Sequence, residues 1–168
     1  MIAVADTSVL LHFFDPDCRA PLGDDGQQIG QCKERVEALI LRLSRDGDVL
    51  IVPTPTLAEI LTRAGAAGPV WLGAIEGKRA IRIEPFGLMA AVECAAMSAT
   101  RKARNPDSNR AKSKFDEQII AIARVVGADE IYSDDVDIRK LAGSDFTVYG
   151  IADLPPPPPQ SQPDMFEP

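Results

Sequence analysis

Short, wholly apolar runs alternate along this chain with longer stretches in which apolar residues recur every three or four positions. Residues 2–5 and 49–52 contain no polar member, the pattern of strands buried on both faces of a parallel sheet. Residues 79–84, with Ile81 and Ile83 on one face, 130–133 and 146–150 supply three more predicted strands. Residues 31–45 place Val36, Leu39, Ile40 and Leu43 on one helical face, and Gly47 ends that helix. Further helices are predicted over 9–14, from 53–56 onward with Leu57, Ile60 and Leu61 inward, and over 70–75, 88–102, 115–126 and 136–141. Residues 15–30, rich in Asp, Gly and Pro, and residues 105–109 read as loops. Strand–helix alternation of this kind builds an α/β fold. The five consecutive prolines after Leu154 can join neither sheet nor helix. The expected division is therefore a folded domain over 1–152 and a proline-rich, disordered or polyproline II tail over 153–168.

Composition narrows the class without choosing a function. At 168 residues the chain fits one domain, long enough to bury roughly two-thirds of its unfolded surface. No apolar run reaches the ~18 residues of a membrane span, and the N-terminus lacks a signal peptide's basic flank. A cytoplasmic protein without a membrane partner is expected. Cys18, Cys32 and Cys94 show no Cys-x-x-Cys spacing, so reduced thiols are expected. The one histidine, His12, excludes a multi-histidine metal site and is assigned to packing or to a helix end. A net charge of −7 argues against non-specific nucleic-acid binding over the whole surface. Against that background Arg101, Lys102, Arg104, Arg110, Lys112 and Lys114 fall within fourteen residues holding a single acid, Asp107. That stretch is either a solvated helix end and loop or a set of RNA phosphate contacts.

Chemistry enters through carboxylates placed where strands end or helices begin: Asp6, Glu59, Asp116, and Asp135 with Asp137. Strand ends and the helix N-termini that follow them share one edge of a parallel sheet, and ligands bind at that edge. Two readings stand side by side. Each acid can cap a helix: Thr56 with Glu59 fits a capping box, Ser113 with Asp116 a similar cap, Asp6 precedes one predicted helix and Asp134 or Asp135 another. Alternatively they converge, and four like charges at one point need a cation such as Mg²⁺, which takes oxygen ligands and keeps several waters. No Gly-x-x-x-x-Gly-Lys-Ser/Thr phosphate loop is present, which argues against nucleoside triphosphate hydrolysis. A dehalogenase-like phosphatase would need Asp-x-Asp at the first strand, where this chain has Asp6, Thr7 and Ser8.

Four segments in order resemble the PIN domain, the nuclease fold of VapC-type toxins. They are Ala5-Asp-Thr-Ser-Val-Leu-Leu11, Thr54-Pro-Thr-Leu-Ala-Glu59, Phe115-Asp-Glu-Gln-Ile-Ile-Ala-Ile-Ala123, and Gly127 to Ile138 with its Ser133-Asp-Asp-Val-Asp137. The resemblance covers residues 1 to about 150. It implies a three-layer α/β/α sandwich with a central, mainly parallel sheet. It also implies an acidic pocket of Asp6, Glu59, Asp116 and Asp135. In that pocket Asp6 and Asp116 are core ligands of Mg²⁺ or Mn²⁺, Asp135 a further ligand, and Glu59 a ligand directly or through water. Ser8, Ser133 and Asp137 are implied to support it, and Asp134, at the variable position between them, is assigned to solvent.

The activity implied is metal-dependent endoribonucleolytic cleavage, as the toxin of a type II toxin–antitoxin pair. Its partners would be RNA, a small antitoxin and a second copy in a homodimer. The long 15–30 loop and the proline tail depart from the family's compact toxins. The competing reading is a PIN-like RNA-binding or antitoxin-bound regulatory scaffold that does not cut. Acids at all four motifs favour the nuclease, because a non-cutting relative has no physical reason to keep a repulsive cluster.

Overall fold

The computed structural model describes residues 1–104 and 110–157, with the side chains of 101–113 outside the description. Its centre is β1 (Ile2–Ala5), paired in parallel with β2 (Val49–Pro53) on one side and β4 (Glu130–Tyr132) on the other. Outside these lie β3 (Ile81–Glu84) and β5 (Thr147–Tyr149), also parallel. The five-stranded order is β3-β2-β1-β4-β5. The predicted strands are thus all present, in a wholly parallel sheet.

Alternation along the central strands divides the core in two. Ala3 and Ala5 of β1, Leu50 and Val52 of β2 and Tyr132 of β4 face one layer. Helices α1 (Thr7–Phe14) and α2 (Cys32–Asp46) cover that face through Val9, Leu10, Val36, Leu39 and Leu43. Val4, Ile51 and Ile131 face the opposite layer. There α5 (Leu88–Arg104), α6 (Arg110–Val125) and α7 (Val136–Ala142) supply Ala90, Ile120, Ile122 and Ile138. A period of two in each strand therefore feeds two helical layers, which is why the strands read as unbroken apolar runs. The connection from β2 to β3 runs through α3 (Thr54–Ala64) and α4 (Gly68–Glu76). No helix among the described residues is long and apolar enough to cross a membrane.

Most boundaries fall within two residues of those the pattern predicts, and the start of α6 differs most. Helix α6 begins at Arg110, because the polar, basic turn before Phe115 winds on as helix. Residues 105–109 and 158–168, which hold the predicted loop and most of the proline tail, lie outside the described residues. At the other boundary the folded chain continues past residue 152. Residues Ile151–Asp153 make a helical turn, Leu154 is 5% exposed in the first core layer, and Arg35 Nη1 donates to its carbonyl.

Since Ile131 is fully buried and Leu41 is 69% exposed, Ile131→Ala should cost about 2–5 kcal/mol and Leu41→Ala less than about 0.5. Urea unfolding of both variants measures the contrast.

Candidate active site

The strand order places a topological switch point beside β1, since the chain leaves β1 toward β2 and β3 and later returns to its other side as β4. Ligands of such sheets bind in the crevice beyond the strand ends there. Asp6 follows β1 directly, and its N–H donates to Tyr132 O of β4 at 3.0 Å. Ser133 follows β4, and its N–H donates to Tyr149 O of β5 at 2.8 Å.

A fixed polar network forms across this junction. Ser8 Oγ donates to Asp6 Oδ2 at 2.8 Å and Ser133 Oγ donates to the same oxygen at 2.9 Å. Each hydroxyl in turn accepts a backbone N–H, Ser8 from Asp134 at 2.9 Å and Ser133 from Asp135 at 3.0 Å. Both serine protons are committed to Asp6, so the 3.3 Å approach of the two hydroxyls carries no proton of its own. Asp6 thereby joins the start of α1 to the β4–α7 turn. Its Oδ1 takes no hydrogen bond from the described residues.

Around this network lies a cleft of about 690 Å³ lined by Asp6, Glu59, Asp116, Asp134 and Asp135. Asp6 and Asp116 are buried, at 7% and 8% exposure, and form its floor. The capping alternatives resolve differently for each acid. Asp6 is the N-cap of α1, accepting from Ser8 N, and Asp135 is the N-cap of α7, accepting from Asp137 N at 2.7 Å. For these two, capping and lining the cleft coexist. Glu59 does not cap: α3 opens at Thr54, and Glu59 Oε2 accepts instead from Thr7 Oγ1 at 2.7 Å. The hydroxyl of Thr56, the other half of the expected capping box, is buried without a hydrogen-bond partner. Asp116 does not cap either, since it lies in the second turn of α6.

Asp134 departs from its assignment to solvent. It is partly buried, and its Oδ1 accepts from Ile151 N at 2.9 Å, joining the β4 exit to the turn after β5. Burial pushes its carboxyl up from the usual range against that stabilising N–H. Asp137 does not line the cleft; its backbone N–H holds Asp135, and its side chain meets Lys140 at 3.4 Å. Ser133 is fully buried beneath the floor. Of the basic stretch, Lys114 is exposed, while the side chains of Arg101, Lys102, Arg104, Arg110 and Lys112 lie outside the described residues.

Three further groups line the cleft without having been singled out in the sequence: Arg19, Arg63 and Phe115. The signal for Arg63 was present, since Pro55, Ala58, Glu59, Thr62 and Arg63 share one face of α3 at helical spacing. His12 also lines the cleft, in the last turn of α1, with Nε2 3.9 Å from Cys18 Sγ. Its burial lowers the imidazole pKa, partly opposed by Asp134 and Asp15.

Among the described residues no three His, Cys, Asp or Glu side chains close around one point as a preformed cage. Mg²⁺ does not require one, because it binds through one or two carboxylates and completes its shell with water and substrate oxygens. A buried carboxylate with one oxygen anchored, in a cleft of further carboxylates, is a donor set of that kind.

No family model and no curated relative matches the chain. Solved structures do. VapBC2 from Rickettsia felis, bound to a DNA fragment from its promoter, aligns over 89% of this chain and 98% of its own at TM-score 0.64 and 10% identity. FitAcB from Neisseria gonorrhoeae aligns over 90% and 98% at TM-score 0.58 and 21% identity. VapC20 from Mycobacterium tuberculosis, a toxin that cleaves the sarcin–ricin loop, aligns over 84% and 95% at TM-score 0.54 and 18% identity. At these identities the likeness establishes the fold, the PIN architecture that the four sequence segments imply.

Burial of His12 gives a test of the cleft wall. Burial disfavours the charged imidazole in the folded chain, so around and below the ordinary pKa of 6.5 the unfolded chain binds more of this proton. The His12 contribution to stability should therefore fall as pH drops below 6.5, and His12→Leu should remove that contribution, read as the difference between the two proteins' thermal melts across the range.

Proposed function

We propose that this chain is a divalent-metal-dependent endoribonuclease, the toxin of a type II toxin–antitoxin pair. The observation that carries the reading is the anchored Asp6. Two serine hydroxyls from opposite sides of the switch point fix one of its oxygens at the floor of a cleft that Glu59, Asp116 and Asp135 also line. The fold supports it too, being shared with a toxin that cleaves RNA and with toxin–antitoxin complexes.

In this reading Asp6 and Asp116 would hold Mg²⁺ or Mn²⁺, with Asp135 a further ligand and Glu59 a ligand directly or through water. The ion, when bound, activates a water and stabilises the leaving oxygen of the phosphodiester. The remaining work falls to the chain itself. Ser8 and Ser133 fix the Asp6 carboxylate, so its position is set before substrate arrives. Ser133 also holds the Asp135 backbone, and the Asp137 N–H holds the Asp135 carboxylate. Thr7 draws Glu59 toward the β1 exit from a different helix. Without a cation these carboxylates would repel each other and any phosphate, which ties RNA entry to metal loading.

A small antitoxin is the proposed protein partner, in keeping with the VapBC and FitAcB complexes that share the fold.

The purified protein should cut RNA with Mg²⁺ or Mn²⁺ and lose activity with a chelator. Asp6→Asn and Asp116→Asn should each lower the rate by more than about 100-fold. Ser8→Ala and Ser133→Ala should lower it by about 10- to 100-fold, as removing groups that orient a ligand does. Equal cleavage by wild type and both aspartate variants would remove the catalytic assignment.

A further inference from the structure

The floor of the cleft is acidic, but its rim is not. Arg19, Arg63 and Phe115 all line the cleft and all are exposed, Arg63 with 56% of its side chain open and Phe115 with 53% of its surface open. They come from separate elements: the loop after α1, the second half of α3, and α6. Arg63 is tethered there by Asp15, whose Oδ2 lies 3.5 Å from its Nε. Among the described large apolar side chains that are exposed, Phe115 is the one that lines the cleft, and it is the one aromatic residue in that group. A single exposed apolar side chain is ordinary, so Phe115 counts through its place in the cleft together with the two arginines.

A site that only held a cation would gain nothing from guanidinium groups at its mouth, which repel cations. Guanidinium and phenyl together match a strand that carries phosphates and bare base faces. Because Phe115 and Asp116 line the same cleft, a base on the ring is held in the cleft that the acidic floor closes. Duplex RNA offers no such face, its bases being stacked on each other.

Building on the ribonuclease reading, we propose that this rim is the substrate-binding surface and selects single-stranded RNA. Arg19 and Arg63 take backbone phosphates and Phe115 stacks on an unpaired base. These interactions give a net-acidic protein a local route for a polyanion that does not depend on the 101–114 stretch.

The test measures binding by fluorescence anisotropy of a short labelled single-stranded RNA on the full-length wild-type protein with Ca²⁺ in place of Mg²⁺, alongside cleavage by the wild-type chain with Mg²⁺. Under the Ca²⁺ condition Phe115→Ala should weaken binding about 5- to 100-fold, while Phe115→Tyr keeps it. Arg19→Ala and Arg63→Ala should each lower the slope of log affinity against log salt by about 0.7, the change expected when a single strand gives up one neutralised phosphate. Melting temperatures near the parent's establish that the exposed substitutions leave the fold intact. Unchanged affinity and slope in all three variants, while the wild type still cuts RNA, would overturn this inference and leave the ribonuclease reading standing. Equal affinity for a duplex of the same sequence would overturn the strand selection. Tight binding of polyarginine, strengthened by Arg19→Ala and Arg63→Ala with no RNA bound, would make the cleft a protein site. RNA bound through the rim but never cut by the wild type would remove the ribonuclease reading and keep the surface.

Discussion

The hydrogen bond from Asp6 N to Tyr132 O closes the ladder between β1 and β4, and the chemistry of the cleft depends on that pairing. The strands reach it from sequence positions well over a hundred residues apart, brought together only because the apolar runs leave no other buried surface for them. Once they pair, Asp6 and Ser133 emerge side by side at the same edge. The two serines then convert that adjacency into fixed geometry, because each has one proton to give and gives it to the same carboxylate oxygen. A polar group this deeply set is tolerable only when its partners are complete. Asp6 Oδ2, Ser8, Ser133 and the Asp134 and Asp135 amides satisfy that condition as a unit.

Consecutive aspartates divide the labour at the β4 exit. Asp135 caps α7 and lines the cleft, while Asp134 turns back to the Ile151 N–H and braces the last strand. Gly150 belongs to this brace, since a Cβ there would overlap the Asp134 carboxylate. The brace also accounts for the extension of the fold to Leu154: the turn after β5 is held by Asp134, by Asp153 and by Arg35 of α2. The described part of the expected tail is therefore structural at its root.

Much of this was legible in the chain. Wholly apolar runs at 2–5 and 49–52 announce buried parallel strands, and four acids follow strands or sit near helix starts in an order that belongs to one fold. What could not be read was pairing between distant side chains. The capping-box spacing of Thr56 and Glu59 is real, yet Thr7, fifty-two residues away, claims the glutamate. The start of α6 was hidden because its first turn is basic and carries no apolar periodicity, so Asp116 looked like an opening residue when it is an interior one. The inward turn of Asp134 depends on the backbone course after Tyr132, which period-two alternation does not determine beyond a strand's last residue. Arg19 was opaque for another reason: nothing in an irregular loop states which cleft it will border.

That loop, residues 15–31, is built separately from the acidic floor. Its own hydrogen bonds, Gly23 N to Gln27 O at 2.8 Å and Ile29 N to Pro21 O at 2.9 Å, close it on itself, and Asp15 and Arg35 fasten its two ends. None of the five floor-network residues lies within it. Changing its length is cheap for the fold, since doubling a flexible loop costs only about 0.6 kcal/mol of closure entropy. Of the proposed rim, Arg19 thus stands on an element apart from the acidic floor, whereas Arg63 and Phe115 share α3 and α6 with Glu59 and Asp116. A chain of this design can exchange that stretch of cleft wall without moving the Asp6 carboxylate.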